Sequence, residues 1–354
     1  MSPPIRDGSG DSIGSIRLGD GSEIAEVRTG AGDVLFSGLG ESTLLAYGSD
    51  DQNVYVHDVG GGFPLNSTLS QAGGRVRSGV SFSSDNSLIA YGSDDNNVYV
   101  HDVGGSFALN STLSQAGGNV SGGVSFSPDN SLIAYGSDDQ NVYVHDVGGS
   151  FGLNSTLSQA GGRVQGGVSF SPDNSLIAYG EGFEGNDNVY VHDVGGGFPL
   201  NTTLSQAGDR VRGGPSFSPD NSLIAYGSND NNVYVHDVGG GFPLNSTLSQ
   251  AGDRVRGGVS FSPDNSLIAY GDTNGDIFVH DVGGGFPLNT TLTDPGGFVR
   301  TVDFSAGNNF LMVSEGNTGS DEIFIYDVPS LSLNTSFSAA TDSIFSRDSF
   351  NSVE

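Results

Sequence analysis

Six histidines stand at His57, His101, His145, His192, His236 and His280, each followed by Asp, with steps of 44, 44, 47, 44 and 44 residues between them. Imidazole next to carboxylate is the pairing that general-base catalysis and metal ligation draw on. The spacing argues against both uses. A zinc ligand lies about 2 Å from its metal, whereas equivalent residues on successive repeats of a sheet structure stand about 10 Å apart. Six equivalents cannot converge on one metal or one substrate, so the pattern reads as one buried, hydrogen-bonded structural residue written six times. The chain has no Cys, which excludes disulfides, thiol nucleophiles and thiolate metal sites. Acidic turns at Asp50-Asp51, Asp94-Asp95, Asp138-Asp139 and Asp272 to Asp276 offer oxygen ligands. None has the twelve-residue frame of an EF-hand, and they read as solvated turns. The expectation is therefore no catalytic residue, no metal, no cofactor and no enzyme.

The elements that carry these histidines repeat with them. The stretch Leu88 to Ser131 recurs along nearly the whole chain, and Tyr326-Asp327, 46 residues after the last His-Asp, makes a seventh copy. A period in the low forties marks a repeat architecture in which each unit buries its faces against its neighbours. One unit contains four short strands, GVSF, SLIAYG, NVYVHDV and FALNSTLS, parted by the turn formers SPDN, SDDNN, VGGS and QAGG. Leu88, Ala90, Val98 and Val100 alternate with Ile89, Tyr91, Tyr99 and His101, as in a sheet packed on both faces. Four strands in each of seven units predict an all-β fold, a seven-bladed β-propeller with a small N-terminal β module.

FSPDNSLIAYGSDDNNVYVHDV resembles a WD-repeat, whose pattern runs FSPDG, LASGSDDG and then a hydrophobic strand ending in Trp-Asp. Here His, or Tyr326 in the last copy, stands where that family has Trp. Asp58, Asp102, Asp146, Asp193, Asp237, Asp281 and Asp327 match its Asp. The family's Gly-His pair before the inner strand is replaced by GGRVRGG or a variant, so its hydrogen-bond network through that His does not carry over. The resemblance covers roughly Leu44 to Ser349 and implies a scaffold for binding partners rather than any one activity.

Charge narrows the setting. The 354 residues include 12 Arg, no Lys and 41 acidic residues, for a formal charge of −29. Self-repulsion of that size is screened by molar salt, where the Debye length is about 3 Å, and the absence of Lys beside abundant Asp reads as a halophile of archaeal origin. Phosphate backbones require a basic face, so nucleic acid is not an expected partner. No apolar run at the start resembles a signal peptide and none elsewhere would insert in a membrane, so synthesis in the cytoplasm is expected.

Two domains are expected, 1–40 as an N-terminal arm with a small β module and 41–354 as the propeller. In the module, SIRLG, EIAEVRTG and DVLF read as strands, with Gly19-Asp20-Gly21 as a hairpin turn and Ile16, Leu18, Ile24 and Val27 as an apolar side. Some twenty-five residues cannot bury a core alone, so the module is expected to dock either on the propeller's own flank or into another protein, and for the second those four residues are the anchoring candidates. IRLGDGSEIAEVRTGAGDVLF is similar to short openings of structural proteins of haloarchaeal tailed viruses and proviruses. At the other end, DSIFSRDSF resembles GVSFSPDNS, which predicts that the C-terminal tail closes the ring with Ile344–Ser346 as the inner strand of the first blade. DVLFSG is the rival for that place.

Three further patterns remain. Arginines precede the inner strand at Arg75/Arg77, Arg210/Arg212 and Arg254/Arg256, on the face expected to hold the Asp-rich turns. They suit Arg–Asp pairing between blades or, alternatively, an anion site at the channel mouth. Asn-x-Ser/Thr recurs once per outer strand, from Asn66 to Asn334, and reads as exposed Ser/Thr-rich strand. The turn between the second and third strands departs from the repeat at EGFEGND, DTNGD and EGNTGSDE. These rim loops are where recognition belongs on a rigid scaffold, and the candidate contacts are Glu181, Phe183, Glu184, Asp187, Asp272, Asn274, Asp276, Glu315, Asp321 and Glu322, with Phe183 foremost. The viral resemblance implies a virion spike, turret or fibre held by the N-terminal module in a larger symmetric assembly, contacting other virion proteins and a host-surface protein or glycan. The alternative is a cellular halophilic scaffold for protein–protein interaction.

Overall fold

In the computed structural model, residues 26–28, 34–37, 44–59, 63–182, 187–305, 307–316, 322–338 and 349–350 are described. The chain divides into two units, the larger spanning Leu44–Ser352. In the smaller unit Glu26–Arg28 pairs antiparallel with Val34–Ser37, Val27 opposite Phe36. The hairpin thus joins EVR to VLFS. Ile16, Leu18, Ile24 and the turn at Gly19-Asp20-Gly21 lie outside the described residues.

The larger unit is seven four-stranded antiparallel sheets. Each has an inner strand such as Val80–Phe82, a second such as Leu88–Gly92, a third such as Val98–Asp102 and an outer such as Leu109–Leu113. This is the seven-bladed propeller that the period predicts. Period-two alternation divides each blade between two neighbours. Ile89, Tyr91, Tyr99 and Phe107 join a cluster with Leu44, Val54 and Val56 of the preceding blade. Ala90, Val98, Val100 and Leu113 join Val120, Val124 and Phe126 of the following one. Leu45, Tyr47 and Phe63 meet Met312, Ile323 and Ile325 between the last blade and the first. The core is thus a circle of seven layers between sheets.

Glycine sets how closely the sheets approach. A Cβ on Gly136 would lie 2.5 Å from Cγ1 of Val164 in the next blade, and Gly227 meets Val255 in the same way. Real Cβ contacts do not reach that distance, so the Tyr-Gly in the second strand of the first six blades leaves the hollow into which the neighbouring valine fits.

The repeated histidine is buried, at 0% exposure in five copies and 8% at His57. Nδ1 of His101 lies 2.9 Å from the carbonyl oxygen of Phe107, and Nε2 lies 3.2 Å from the hydroxyl of Tyr91. A carbonyl only accepts, so Nδ1 carries the proton and Nε2 accepts from the tyrosine. That fixes one neutral tautomer, stacked on Tyr91 with centroids 5.5 Å apart. The carbonyl belongs to a phenylalanine at φ 50°, a left-handed conformation repeated at Phe63, Phe151, Phe198, Phe242 and Phe286. A bulky residue adopts it at a cost, offset here by the buried ring and the histidine bond. The last blade replaces both partners at once: Val313 takes the place of Tyr91, and Tyr326 instead donates to Asp294 at 3.1 Å.

The Asp after each histidine has its own repeated partner. Asn66 donates to Asp58 at 2.7 Å and Asn110 to Asp102 at 2.6 Å, and the pattern continues to Asn334 and Asp327. The recurring Asn-x-Ser/Thr is therefore one half of a bond between third and outer strands.

The ring is closed by the C-terminal tail, with a correction in register. Phe350 lies opposite Leu45 and Ser349 opposite Ala46, as Phe82 lies opposite Ile89 and Ser81 opposite Ala90 in the second blade. The closing strand is Ser349–Phe350, not Ile344–Ser346, which lie outside the described residues. DVLFSG is not the inner strand, since Val34–Ser37 pairs with Glu26–Arg28. Removing residues 349–354 should leave the first blade with three strands and an open edge. Melting at a lower temperature with concentration-dependent aggregation is expected, and unchanged melting would place closure elsewhere.

Burial lowers the pKa of all six histidines below the ordinary 6.5. A lowered folded-state pKa means that stability is complete above 6.5 and is lost as pH falls through 6.5 toward the folded value. Over that window the unfolded chain binds protons that the folded ring refuses, at about 1.4 kcal/mol per pH unit for each histidine. Turn aspartates such as Asp85 and Asp220, held below the usual carboxylate range chiefly by a serine hydroxyl, extend the loss to lower pH. Urea midpoints should fall steeply from about pH 7 to about pH 5, less so in a His101→Gln variant. A flat profile would contradict the neutral, buried assignment.

Candidate functional site at the channel mouth

Among the described residues, the loop entering an inner strand lies beside the turn between the second and third strands of the preceding blade. Backbone bonds fix this register: Val76 donates to Ser49, Val120 to Ser93, Val164 to Ser137 and Val211 to Glu181. The residue after the valine therefore faces the residue after the serine across each boundary. The residues after the valines, Arg77, Ser121, Gln165, Arg212, Arg256 and Arg300, line one mouth of the channel with Asp94 and Asp138, a cavity of about 410 Å³.

The charges there are arranged by blade. Arg77 meets Asp50 with Nε–Oδ1 at 2.9 Å and Nη2–Oδ2 at 3.2 Å, a two-pronged pair. Asp138 receives the hydroxyl of Ser121 at 2.6 Å and the amide of Gln165 at 2.9 Å, and Arg163 lies 3.6 Å from it. From the fourth blade onward the acid disappears: Gly182, Asn229 and Thr273 occupy the place of Asp50, Asp94 and Asp138, each donating its backbone N–H to the matching carbonyl. The arginines persist. Arg212 donates to the Gly182 carbonyl at 3.4 Å and to Gln165 at 3.1 Å, and Arg256 donates to the Asn229 side chain at 3.0 Å. Arg300 completes the series, its guanidinium 5.5 Å from the Phe298 ring centre.

The electrostatics follow. Arg77 is held above its ordinary pKa by its bond to Asp50. Arg212 is pushed down to about 10, first by burial and then by Arg256 and other arginines. Arg256 is lowered by burial and by Arg254. The Arg–Asp pairing expected between blades is present at Arg77 and Asp50, while in the later blades Arg212 and Arg256 stand beside the neutral Gly182 and Asn229.

The rim residues separate into buried and accessible ones. Glu181 and Asp272 are 0% exposed and Glu315 4%, which corrects their reading as exposed contacts. Each stands at the position of Ser49 and holds the turn together. Glu181 accepts from Tyr190 at 3.0 Å, Asp272 accepts from the backbone of Gly252, Asn274 and Asp276, and Glu315 accepts from the Gly297 N–H at 2.8 Å. Asn274 is exposed, and Asp187, Asp276 and Glu322 are half-buried. Phe183, Glu184 and Asp321 lie outside the described residues.

The acidic turns are not simply solvated either. Asp95 accepts from Tyr99 at 2.7 Å, from Asn97 N–H at 3.1 Å and from Gly73 N–H at 2.6 Å, so one carboxylate joins its own turn to the neighbouring loop. Among the described residues no group of three or more His, Asp or Glu side chains is placed to hold a metal. The neutral gap at Gly182, Asn229 and Thr273 is the feature sequence reading missed. Its signal was the change from SDD to EG, SN and DT at the same turn.

A comparison with curated proteins finds no match. Three stretches, residues 65–102, 110–146 and 210–237, match the WD domain, G-beta repeat family. The first runs from the outer strand Leu65–Leu69 to the end of the third strand Val98–Asp102 of the next blade, so the matched unit straddles the blade boundary. With the seven sheets closed on themselves, the ring is a WD-repeat-like seven-bladed β-propeller.

Proposed function

We propose that the protein is a non-catalytic scaffold for protein–protein interaction that engages partners through the face bearing the channel mouth. The observation that carries this reading is where the repeats diverge. Residues that hold the blades, the Tyr–His pair and the Gly–Val contact, recur from blade to blade, while the turns at Glu181, Asp272 and Glu315 differ from the rest on that one face. A rigid ring with variable turns on one side suits recognition, and the repeat match supports the same class. The six histidines have both ring nitrogens engaged in the core, which argues against their use on a substrate.

A narrower reading, a virion component anchored by its N-terminus and presenting the ring to a host surface, is supported by the resemblance of residues 16–36 alone. The scaffold reading draws on the ring itself and is preferred.

The test is retention of partners from a lysate of the source cells by the immobilised full chain and by an Asn274→Arg/Glu322→Arg variant. The wild type should retain a defined set that the variant loses by about tenfold or more, because interface energy concentrates in a few residues. Retention equal to blank resin, or the same set on both proteins, would overturn the proposal.

A further inference from the structure

The outer strands carry a feature that the Asn–Asp bond does not explain. Each is the last strand of its sheet and is paired on one side only. Each presents Asn-x-Thr, or Asn-x-Ser in the seventh blade, from Asn66-Ser67-Thr68 to Asn334-Thr335-Ser336. Both ends of the triplet are exposed in every blade, and its middle residue is half-buried. The asparagine is accounted for by its carboxylate partner, as Asn110 is by Asp102 at 2.6 Å. The hydroxyl two residues on is not: among the described residues these hydroxyls make no side-chain hydrogen bond. The seventh blade departs from the rest in most other respects. Val313 and Tyr326 replace the Tyr–His pair, and Ser314 stands where Gly92 stands in the second blade. The triplet persists there, with Ser336 for Thr. Thr is a strand-forming residue, and exchanging it for Ser gives up that preference while keeping the hydroxyl.

The same perimeter lacks one common protection of a sheet edge. No outer strand contains a charged residue, in a chain of formal charge −29. One leucine on each stands exposed beside the asparagine, from Leu65 at 54% to Leu333 at 44%. Uncharged, unpaired edges with apolar side chains template association unless they are covered. A bulky, hydrated group on the neighbouring asparagine covers them.

We propose that the outer-strand asparagine of every blade, Asn110 and its equivalents from Asn66 to Asn334, is the acceptor of an N-linked glycan. Asn with a hydroxyl residue two places on is the acceptor pattern of that transfer. Nδ2 attacks the anomeric carbon of a sugar held as a phosphate ester on a nucleotide or lipid carrier. The C1–Nδ2 bond forms, and the C1–O bond breaks with its electron pair leaving on the phosphate. One Nδ2 proton passes to a base of the transferase. The amide has two N–H groups, so the one that remains still donates to Asp102. Asn119-Val120-Ser121 has the same pattern but different surroundings. Asn119 is half-buried at the channel mouth, and the Ser121 hydroxyl is committed to Asp138 at 2.6 Å. Asn119 therefore stays unmodified. The inference does not rest on the scaffold reading.

The experiment is peptide mapping by mass spectrometry of the full chain isolated from its source cells, with fragmentation that locates any added mass. Sugar on the outer-strand asparagines and none on Asn119 is expected. Two variants separate modification from structure. Thr112→Val keeps Asn110 and its bond to Asp102 but removes the hydroxyl, and should lose the sugar from Asn110 alone. Ser111→Ala changes the middle residue and should retain it. Both should melt as the wild type does. If Thr112→Val fails to fold, the wild-type map decides. Modified chain in the cytosol assigns the nucleotide carrier, and modified chain found only beyond the membrane assigns the lipid carrier. Unmodified asparagines in the outer strands, sugar on serine or threonine instead, equal occupancy of Asn119 and Asn110, or full occupancy of Asn110 in Thr112→Val would overturn the proposal.

Discussion

The ring depends on a hollow. In the first six blades the second strand carries Tyr-Gly, whose missing Cβ admits a valine from the next blade, from Gly48 with Val76 to Gly271 with Val299. Any side chain there would push two sheets apart, and in a closed circle one displaced boundary has to be absorbed by the others. Close approach in turn brings the entry loop of one blade within hydrogen-bonding reach of the neighbouring turn. That is why the acid and the arginine at the mouth come from different blades.

The histidine network serves the same geometry from the opposite end of the blade. It holds the left-handed phenylalanine whose ring fills the space between outer parts of the sheets, as at His101 and Phe107. The simultaneous loss of Tyr and His in the last blade fits this coupling, since a lone imidazole without its hydroxyl partner would leave a buried acceptor unsatisfied. A repeat therefore tolerates change in linked sets rather than at single positions.

The fold was legible because periods of two and about forty-four residues act over short and fixed distances. Ile89 and Ala90 announce opposite faces, and the structure puts them in different layers. Closure was legible only in kind. The tail offers Phe345 and Phe350 in similar contexts, and only the pairing of Phe350 with Leu45 chooses between them. At the rim, an acid beside turn residues reads as exposed, yet Glu181 and Glu315 are buried because backbone N–H or tyrosine O–H groups reach them from elsewhere in the fold. Such donors leave no trace in local sequence. The neutral gap opposite the later arginines was visible letter by letter but acquired meaning only when the register placed Asn229 against Arg256.

The position of the closing strand also has a consequence for biosynthesis. A ribosome completes three strands of the first blade before any other blade and supplies the fourth with Ser349 and Phe350, only after the other six blades have been made. Until then the edge at Leu44–Gly48 is an unpaired template. Every later blade completes its four strands from contiguous chain, so growth proceeds outward from a seam that is opened first and sealed last. The same seam is where the closing strand of a second, finished chain could enter, and the time between opening and sealing grows with each blade added to the ring.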